Sequence, residues 1–179
     1  MVAAFDRGDT DPAAHPDDPA GRADAYAAGR LTRAQRDLLA SFEDVVSLEA
    51  ALFCHGSPRD DNEIITQVTP VERLTPMVEG VEEQLVVCGH THHQFDLRAG
   101  RVRVVNAGSV GMPYQGEAAA FWMLVEDGEP EFVRTEIDVD AVVAAIRASP
   151  YPDAEDLVKT CFLEPVTAES VARLFEDRA

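Results

Sequence analysis

The sequence predicts an α+β fold with layered β-sheets. Its 179 residues are 46% hydrophobic, which is enough to build the core of a domain. Helical patterns occur mainly towards the two ends of the chain, whereas short β-rich runs fill the middle. Two pairs of these runs are joined by glycine-bearing turns that are typical of hairpins. We therefore expect a single domain over residues 1–179.

The N-terminal elements are predicted to be a loop, a helix and then strands. Residues 5–24 are rich in Asp, Pro, Gly and Ala without a period, which predicts an exposed acidic loop. Thr32 can cap a helix whose apolar residues recur at helical spacing. The run 45–53 predicts one or two strands, antiparallel across a short turn, that end just before His55. A second helix is expected to start near Pro70.

The later elements are predicted to be a buried strand, two hairpins and helices. The almost wholly apolar run 85–88 predicts a strand buried on both faces. Residues 95–105 and 118–137 each predict a hairpin. The segment 138–179 is expected to form C-terminal helices, the first of which Asp138 can cap.

Charge and composition limit the possible partners and compartments. A net charge of −18 would repel a nucleic-acid backbone, so nucleic acid is not an expected partner. No apolar stretch approaches the roughly 20 residues that span a bilayer, so no membrane partner is expected either. The three cysteines are an odd number without CxxC spacing, which is typical of buried thiols in a reducing compartment. We therefore expect a cytoplasmic protein.

The histidines are the strongest sign of a functional site. Four of the five lie between His55 and His93, and three directly follow predicted buried strands. Neutral imidazole is a common ligand of Zn, Mn, Fe and Ni. Gly89 lets the backbone turn sharply before His90, and the one-residue gap to His92 can direct both rings into one small volume. From this pattern alone, metal ligands and hydrogen-bonded structural histidines are about equally expected.

Three motifs together resemble the calcineurin-like metallophosphoesterase superfamily, specifically its small bacterial and archaeal phosphodiesterase-like branch. They are CHGSPRD, VVCGHTHHQF and VVNAGSVGMP, in the order of the family, and the resemblance covers roughly residues 45–150. The resemblance implies a four-layer αββα sandwich of mixed β-sheets flanked by helices. It also implies hydrolysis of a phosphomonoester or phosphodiester at a dinuclear centre of divalent transition metals, which would be Mn, Zn, Fe or Ni.

The same resemblance implies roles for individual histidines. His55 and His90 would bind one metal ion of the dinuclear centre, and His92 would bind the other. His93 stands where the family has no fixed ligand and is expected to be structural.

Three further residues are candidates for substrate binding by this resemblance. Asn106 and Ser109 resemble family residues that shape the loop beside the metals. Arg59 is placed to meet a phosphate group. A surface salt bridge of Arg59 with Asp60 or Asp61 is an equally open interpretation.

The chain departs from the family pattern in its carboxylates. It has no Asp-x-His motif, no Gly-Asp motif after a strand and no Gly-Asn motif, and the carboxylate that bridges the two metals is among the missing ligands. Arg7-Gly8-Asp9 contains Gly-Asp but has no predicted strand before it. We therefore expect the chain to match only the C-terminal portion of the family, with the N-terminal part missing, and to bind at most one metal ion.

Two functional hypotheses remain open. The first is a metal-dependent phosphoesterase for a small phosphoester substrate, of which the chain retains the histidine half of the ligand set. The alternative is a catalytically inactive remnant or interaction module that retains the fold, with or without one metal ion. In either case, missing strands would leave bare edges on the strands that end at His55 and His90, so homo-oligomers through exposed sheet edges are expected.

Overall fold

The computed structural model describes residues 1–179 and has the predicted α+β architecture. Its helices are α1 (Val2–Arg7), α2 (Pro19–Ala28), α3 (Arg33–Leu39), α4 (Val71–Met77), α5 (Val139–Ala148), α6 (Ala154–Val158) and α7 (Ala168–Glu176). Its strands are β1 (Val45–Leu48), β2 (Ala51–Cys54), β3 (Leu85–Cys88), β4 (Phe95–Ala99), β5 (Val102–Asn106), β6 (Ala120–Glu126) and β7 (Glu129–Thr135). The predicted fold class is confirmed, because a mixed sheet flanked by helices occupies the middle of the chain.

The chain divides into two compact units, a subdivision that the prediction of a single domain did not contain. The first unit comprises residues 1–43 and 140–158, which carry helices α1 to α3, most of α5, and α6. The second comprises residues 44–139 and 159–179, which carry all seven strands, α4 and α7. No helix in either unit has the length and apolar character that crossing a membrane requires.

The acidic segment 5–24 is partly helical, so its prediction as a loop is wrong, although most of its residues are exposed. Pro12 and Pro19 begin a 3₁₀ turn and helix α2, where the missing N–H of proline would have no partner in any case. Asp11 caps the first of these by accepting a hydrogen bond from the Ala13 N–H at 3.0 Å. The Asp-Pro pairs that indicate turns in the sequence therefore start helices here.

The first unit is held together by contacts between its two chain segments. Arg22 forms an ion pair with Asp153 at 2.9 Å, and both side chains are only 18% exposed. The rings of Tyr26 and Tyr151 meet edge to face, with centroids 5.2 Å apart.

Thr32 caps α3 through a complete capping box, which confirms the predicted helix start.

The second unit is built on a five-stranded mixed sheet with the order β1-β2-β3-β5-β4. β2, β3 and β5 run parallel, whereas β1 and β4 are antiparallel to their neighbours. One face of the sheet packs with α4 around Val86 and Val104. The other face packs against the β6–β7 hairpin through Met123 and Val125. The parallel strands therefore end at one edge of a sheet that is covered on both faces, which is where α/β sheets usually carry functional groups.

The prediction of bare edges on the strands that end at His55 and His90 is wrong. β2 pairs with β1 and β3, and β3 pairs with β2 and β5, so both strands are hydrogen-bonded on each side. The short strand β1 folds back on β2 and supplies the neighbour that was expected to be missing. A free edge lies at β1 itself, where Val45, Val46 and Leu48 are 36%, 46% and 61% exposed. Association through an exposed edge stays a prediction, and β1 and β4 are the two terminal strands of this sheet.

Candidate metal centre

The polar residues singled out in the sequence follow the ends of the parallel strands. His55 comes directly after β2, His90 and His92 follow β3, and Asn106 is the last residue of β5. The Gly89 N–H donates to the His55 carbonyl oxygen at 2.8 Å, which fixes the first two loops against each other. The parallel register of the sheet therefore brings three loops, far apart in sequence, to one place.

The rings of His55 and His90 lie side by side. Nδ1 of His90 is 3.2 Å from Nε2 of His55, and the ring centroids are 5.0 Å apart. Two imidazole nitrogens bound to one tetrahedral Zn²⁺ at about 2.0–2.1 Å are themselves about 3.3 Å apart. The observed spacing fits two ligands of a single ion, and it also permits a hydrogen bond between the neutral rings.

Burial favours the neutral forms of His90 and His92. It lowers the pKa of His90 below its usual value, and the neighbouring His55 lowers this pKa further, while Asp61 and the Asn62 backbone act in the opposite direction. Burial also lowers the pKa of His92, to which His90 and His55 contribute in the same sense. A neutral imidazole has a lone pair available for a metal ion, so no proton has to be displaced at neutral pH.

One ring nitrogen of His92, Nδ1, is buried without a hydrogen-bond partner. The Met112 backbone acts to raise the pKa of this ring, against the larger effect of burial. Buried polar atoms in proteins are nearly always partnered. Metal-bound histidines commonly direct their second ring nitrogen to a backbone carbonyl or carboxylate. The surroundings of His92 therefore fit a ligand position.

The loop that carries His90 and His92 has an unusual backbone. Both residues are left-handed, with φ of 64° and 58°, a region that non-glycine residues rarely adopt. Thr91, between them, is fully buried and donates its hydroxyl to the Ile65 carbonyl oxygen at 2.9 Å. Backbone strain of this kind persists where the surroundings hold the loop in place, and such loops are concentrated at functional sites.

Asn106, a predicted substrate-binding residue, is fully buried and supports this loop. Its Nδ2 donates to the Gly89 carbonyl oxygen and to the Thr91 hydroxyl oxygen, the latter at 3.1 Å. Its Oδ1 accepts from the Gly108 N–H at 2.8 Å. Asn106 thus shapes the loop beside the histidines, and its contact with a substrate stays a prediction.

Arg59 and Ser109, the other two candidates for substrate binding, are engaged within the protein. Arg59 forms a salt bridge, but with Glu63 and not with Asp60 or Asp61, and its Nε lies 2.9 Å from Glu63 Oε2. The hydrogen bond from Arg59 holds the pKa of Glu63 below its usual value. The Ser109 hydroxyl accepts from the backbone N–H three residues further on at 3.0 Å. A role in substrate binding stays a prediction for both.

His93 and two cysteines lie close to the site without the features of ligands. His93 is fully buried, and its Nδ1 and Nε2 lie 2.9 Å from the Thr91 carbonyl oxygen and 3.4 Å from the Gln67 nitrogen. Burial raises the pKa of the Cys54 thiol to about 12 and also raises that of Cys88. Thiols with such values are protonated at neutral pH and are poor metal ligands.

His55 and His90 supply a pair of donor nitrogens, and the ring of His92 lies near this pair. His92 lies close enough to His55 and His90 for both to lower its pKa. No group of three or more His, Cys, Asp or Glu side chains is arranged to hold one metal ion. A two-nitrogen pair would leave positions on an ion open for water and for a phosphoryl oxygen.

Sequence reasoning missed Tyr114, which supports His92. The two rings stack with centroids 5.6 Å apart, and the Tyr114 N–H donates to the His92 carbonyl oxygen at 3.0 Å. Tyr114 directly follows the VVNAGSVGMP motif, so an aromatic residue after this glycine-bearing loop was the available signal.

Comparisons with known proteins bear on the family and the fold of the chain. The model of the calcineurin-like phosphoesterase superfamily domain matches residues 7–128, so the match begins well before the resemblance at residues 45–150 and includes helices of the first unit. No curated protein matches the chain.

Two solved structures share the fold. The hypothetical protein PH1004 from Pyrococcus horikoshii OT3 is 19% identical with a TM-score of 0.68, over 90% of this chain and 64% of that one. A metallophosphoesterase from Sphaerobacter thermophilus is 22% identical with a TM-score of 0.66, over 79% of this chain and 68% of that one. The chain therefore spans about two thirds of the length of these structures.

Proposed function

Because the chain belongs to the calcineurin-like phosphoesterase superfamily, we propose that it is a metal-dependent phosphoesterase acting on a small phosphomonoester or phosphodiester. Enzymes of this superfamily generally use divalent metal ions. The observation that carries the proposal is the 3.2 Å spacing between Nδ1 of His90 and Nε2 of His55 at the ends of two parallel strands. The unpartnered Nδ1 of His92 supports it independently.

The three histidines have distinct roles in this proposal. His55 and His90 hold one divalent ion, and His92 is the ligand that the family directs to a second ion. Imidazole donors suit Mn, Zn, Fe or Ni better than Ca. When bound, such an ion acts as a Lewis acid on a phosphoryl oxygen. Three histidine side chains bring no negative charge, so the chain is proposed to bind at most one ion.

Arg59 is the proposed phosphate-binding residue. The Arg59 side chain is 51% exposed. Its planar guanidinium presents several N–H donors in a geometry that matches phosphate oxygens. Its present partners are the carboxylate of Glu63 and the Pro76 carbonyl oxygen, to which Nη1 donates at 3.2 Å. A phosphate would compete with this carboxylate, so Arg59 is proposed to leave Glu63 when substrate binds.

Metal binding and hydrolysis can be tested separately. Metal-free protein is titrated with Mn²⁺ and Zn²⁺ by calorimetry, and then assayed with p-nitrophenyl phosphate and bis-p-nitrophenyl phosphate. The expected result is one bound ion and release of p-nitrophenol that requires it. Affinity should fall at least tenfold in His90→Ala, and should not change in His15→Ala, whose side chain lies in the first unit and pairs with Asp9. Equal affinities in the two variants would refute the proposed site.

The missing carboxylate motifs favour a second candidate function. An interaction module would retain the fold and at most one metal ion without hydrolysing phosphoesters, because two-metal catalysis needs carboxylates that set the ion separation. Stoichiometric metal binding with no release of p-nitrophenol from either substrate would support this candidate. The free cysteines Cys54, Cys88 and Cys161 are consistent with a cytoplasmic location for either function.

A further inference from the structure

Helix α7 lies beyond residues 7–128, the part of the chain that matches the family, yet it contacts the supports of the histidine loop. The ring of Phe175 in α7 lies 6.2 Å from the ring of Tyr114. Tyr114 in turn stacks on His92 at 5.6 Å and hydrogen-bonds to its carbonyl oxygen. Phe175 therefore backs the aromatic residue that contacts both the ring and the backbone of His92.

A second connection runs from Glu176 through the segment 65–67. The Glu176 carboxylate accepts from the Thr66 hydroxyl at 2.7 Å and from the Arg73 guanidinium at 2.6 Å. The neighbours of Thr66 hydrogen-bond to the neighbours of His92. The Ile65 carbonyl oxygen accepts from the Thr91 hydroxyl, and the Gln67 N–H donates to the His93 ring. Glu176 therefore holds the segment 65–67, to which the loop that carries His92 is hydrogen-bonded.

The start of α7 and the residues before it are themselves fixed to the same unit. Thr167 caps the helix by accepting from the Ser170 N–H at 3.2 Å. The Gly116 N–H donates to the Val166 carbonyl oxygen at 2.9 Å, which ties this region to the loop that ends near Tyr114. The helix is thus attached near its beginning to the loop that contacts His92 and at its end to the segment that contacts Thr91 and His93.

We infer that α7 is a positioning element for the metal site, in which Phe175 and Glu176 hold the free Nδ1 of His92 in the orientation of a ligand. The left-handed backbone of His92, with φ of 58°, needs such support because it is strained. Phe175 acts on the ring through Tyr114, and Glu176 acts on the loop through hydrogen bonds. The part of the inference that concerns metal affinity rests on the proposed function, whereas the part that concerns the orientation of His92 does not.

The variants Phe175→Leu and Glu176→Gln test this inference against matched controls on the same helix. Leu174→Ala removes an exposed apolar side chain, and Glu169→Gln removes an exposed carboxylate that pairs only within α7. In metal-free protein, NMR of the His92 ring and hydrogen exchange of residues 91–93 should change in the two test variants and not in the controls. Unchanged His92 signals in both folded test variants would overturn the inference.

Metal titration supplies the second readout. Affinity for Zn²⁺ should fall about tenfold in Phe175→Leu and Glu176→Gln, because residues that orient a metal-binding side chain contribute about this much to metal affinity. Changed His92 signals with unchanged Zn²⁺ affinity would overturn the role of α7 in metal binding. If the unsubstituted protein binds no metal, the proposed function fails, while the NMR and exchange measurements still decide whether α7 orients His92.

Discussion

The two loops that carry the histidines are held in different ways. The loop after β3 is held by three fully buried polar side chains, Thr91, His93 and Asn106, whose hydrogen bonds reach other segments of the same unit. The loop after β2, residues 55–62, has an exposed histidine and exposed charged residues. Buried hydrogen bonds are costly to remove because their partners are left without water. The loop after β3 is therefore the fixed half of the site.

The loop after β2 has one buried polar side chain, Ser57, and depends also on close backbone packing. A Cβ placed on Gly56 would lie 2.7 Å from the Asp61 carbonyl oxygen and 2.8 Å from the carbonyl oxygens of Asp60 and Glu63. Only glycine leaves room for these three oxygens. The loop after β3 is thus held by three buried polar side chains, and the loop after β2 by one, Ser57, together with a position that only glycine fits.

The largest effect is expected for Asn106→Ala in the fixed half. The substitution removes three buried hydrogen bonds and leaves the Gly108 N–H without its partner, whereas the Gly89 carbonyl keeps the Thr91 N–H and the Thr91 hydroxyl keeps the Ile65 carbonyl. The free energy of unfolding, measured with urea, should fall by about 3 kcal/mol. The matched control Asn62→Ala removes an exposed amide from the other loop and should cost under about 0.5 kcal/mol. Similar losses in the two variants would contradict the difference between the loops.

Gly56→Ala tests the other half of the comparison. The added methyl group has to displace backbone, so the free energy of unfolding should fall by about 2 kcal/mol. Gly111→Ala is the control, because a Cβ there meets nothing within 4 Å, and its effect should stay within about 0.5 kcal/mol. Equal stability of the two variants in urea unfolding would show that the packing around Gly56 is not specific.

A smaller effect is expected from the pH dependence of Glu176. Burial raises its pKa, but hydrogen bonds from Thr69 and Thr66, together with Arg73, outweigh burial and lower the pKa below 4.5 overall. A lowered folded-state pKa contributes stability above pH 4.5 that is lost as the pH falls through the folded value. Glu176→Gln should therefore be less stable than the unsubstituted protein by about 1 kcal/mol at pH 7 and by less at pH 3.

Glu63, in the loop after β2, is the control for this pH effect. Its partner Arg59 is 51% exposed, whereas the partner of Glu176, Arg73, is 30% exposed, so water screens the Glu63 pair more strongly. Glu63→Gln should change the pH dependence less than Glu176→Gln does. A larger change at Glu63, in urea unfolding across pH 3 to 7, would reverse the order of the two loops.

The sequence predicted those parts of the structure that depend on local pattern. The apolar run before Cys88 and the hairpins were visible from alternation and turn residues, and the positions of His55, His90 and His92 followed from the ends of the strands. Thr32 was recognised as a cap because it precedes a run with helical spacing, and the structure adds a capping box with Gln35.

Features that depend on distant contacts were not predictable. The parallel pairing of β2 with β3 and the contacts of α7 with the supports of His92 leave no periodic signal in the sequence. The helices within residues 5–24 were missed for another reason, because an Asp-Pro pair indicates a turn and a helix start equally well.

Anomalous diffraction from crystals grown with Zn²⁺ tests the central claim, that the loops after β2 and β3 form one metal site, most directly. A peak is predicted between His55 Nε2 and His90 Nδ1, about 2.1 Å from each nitrogen. The same crystals should show whether His92 Nδ1 turns towards metal. A peak only at exposed carboxylates, or no peak beside His55 and His90, would contradict the claim.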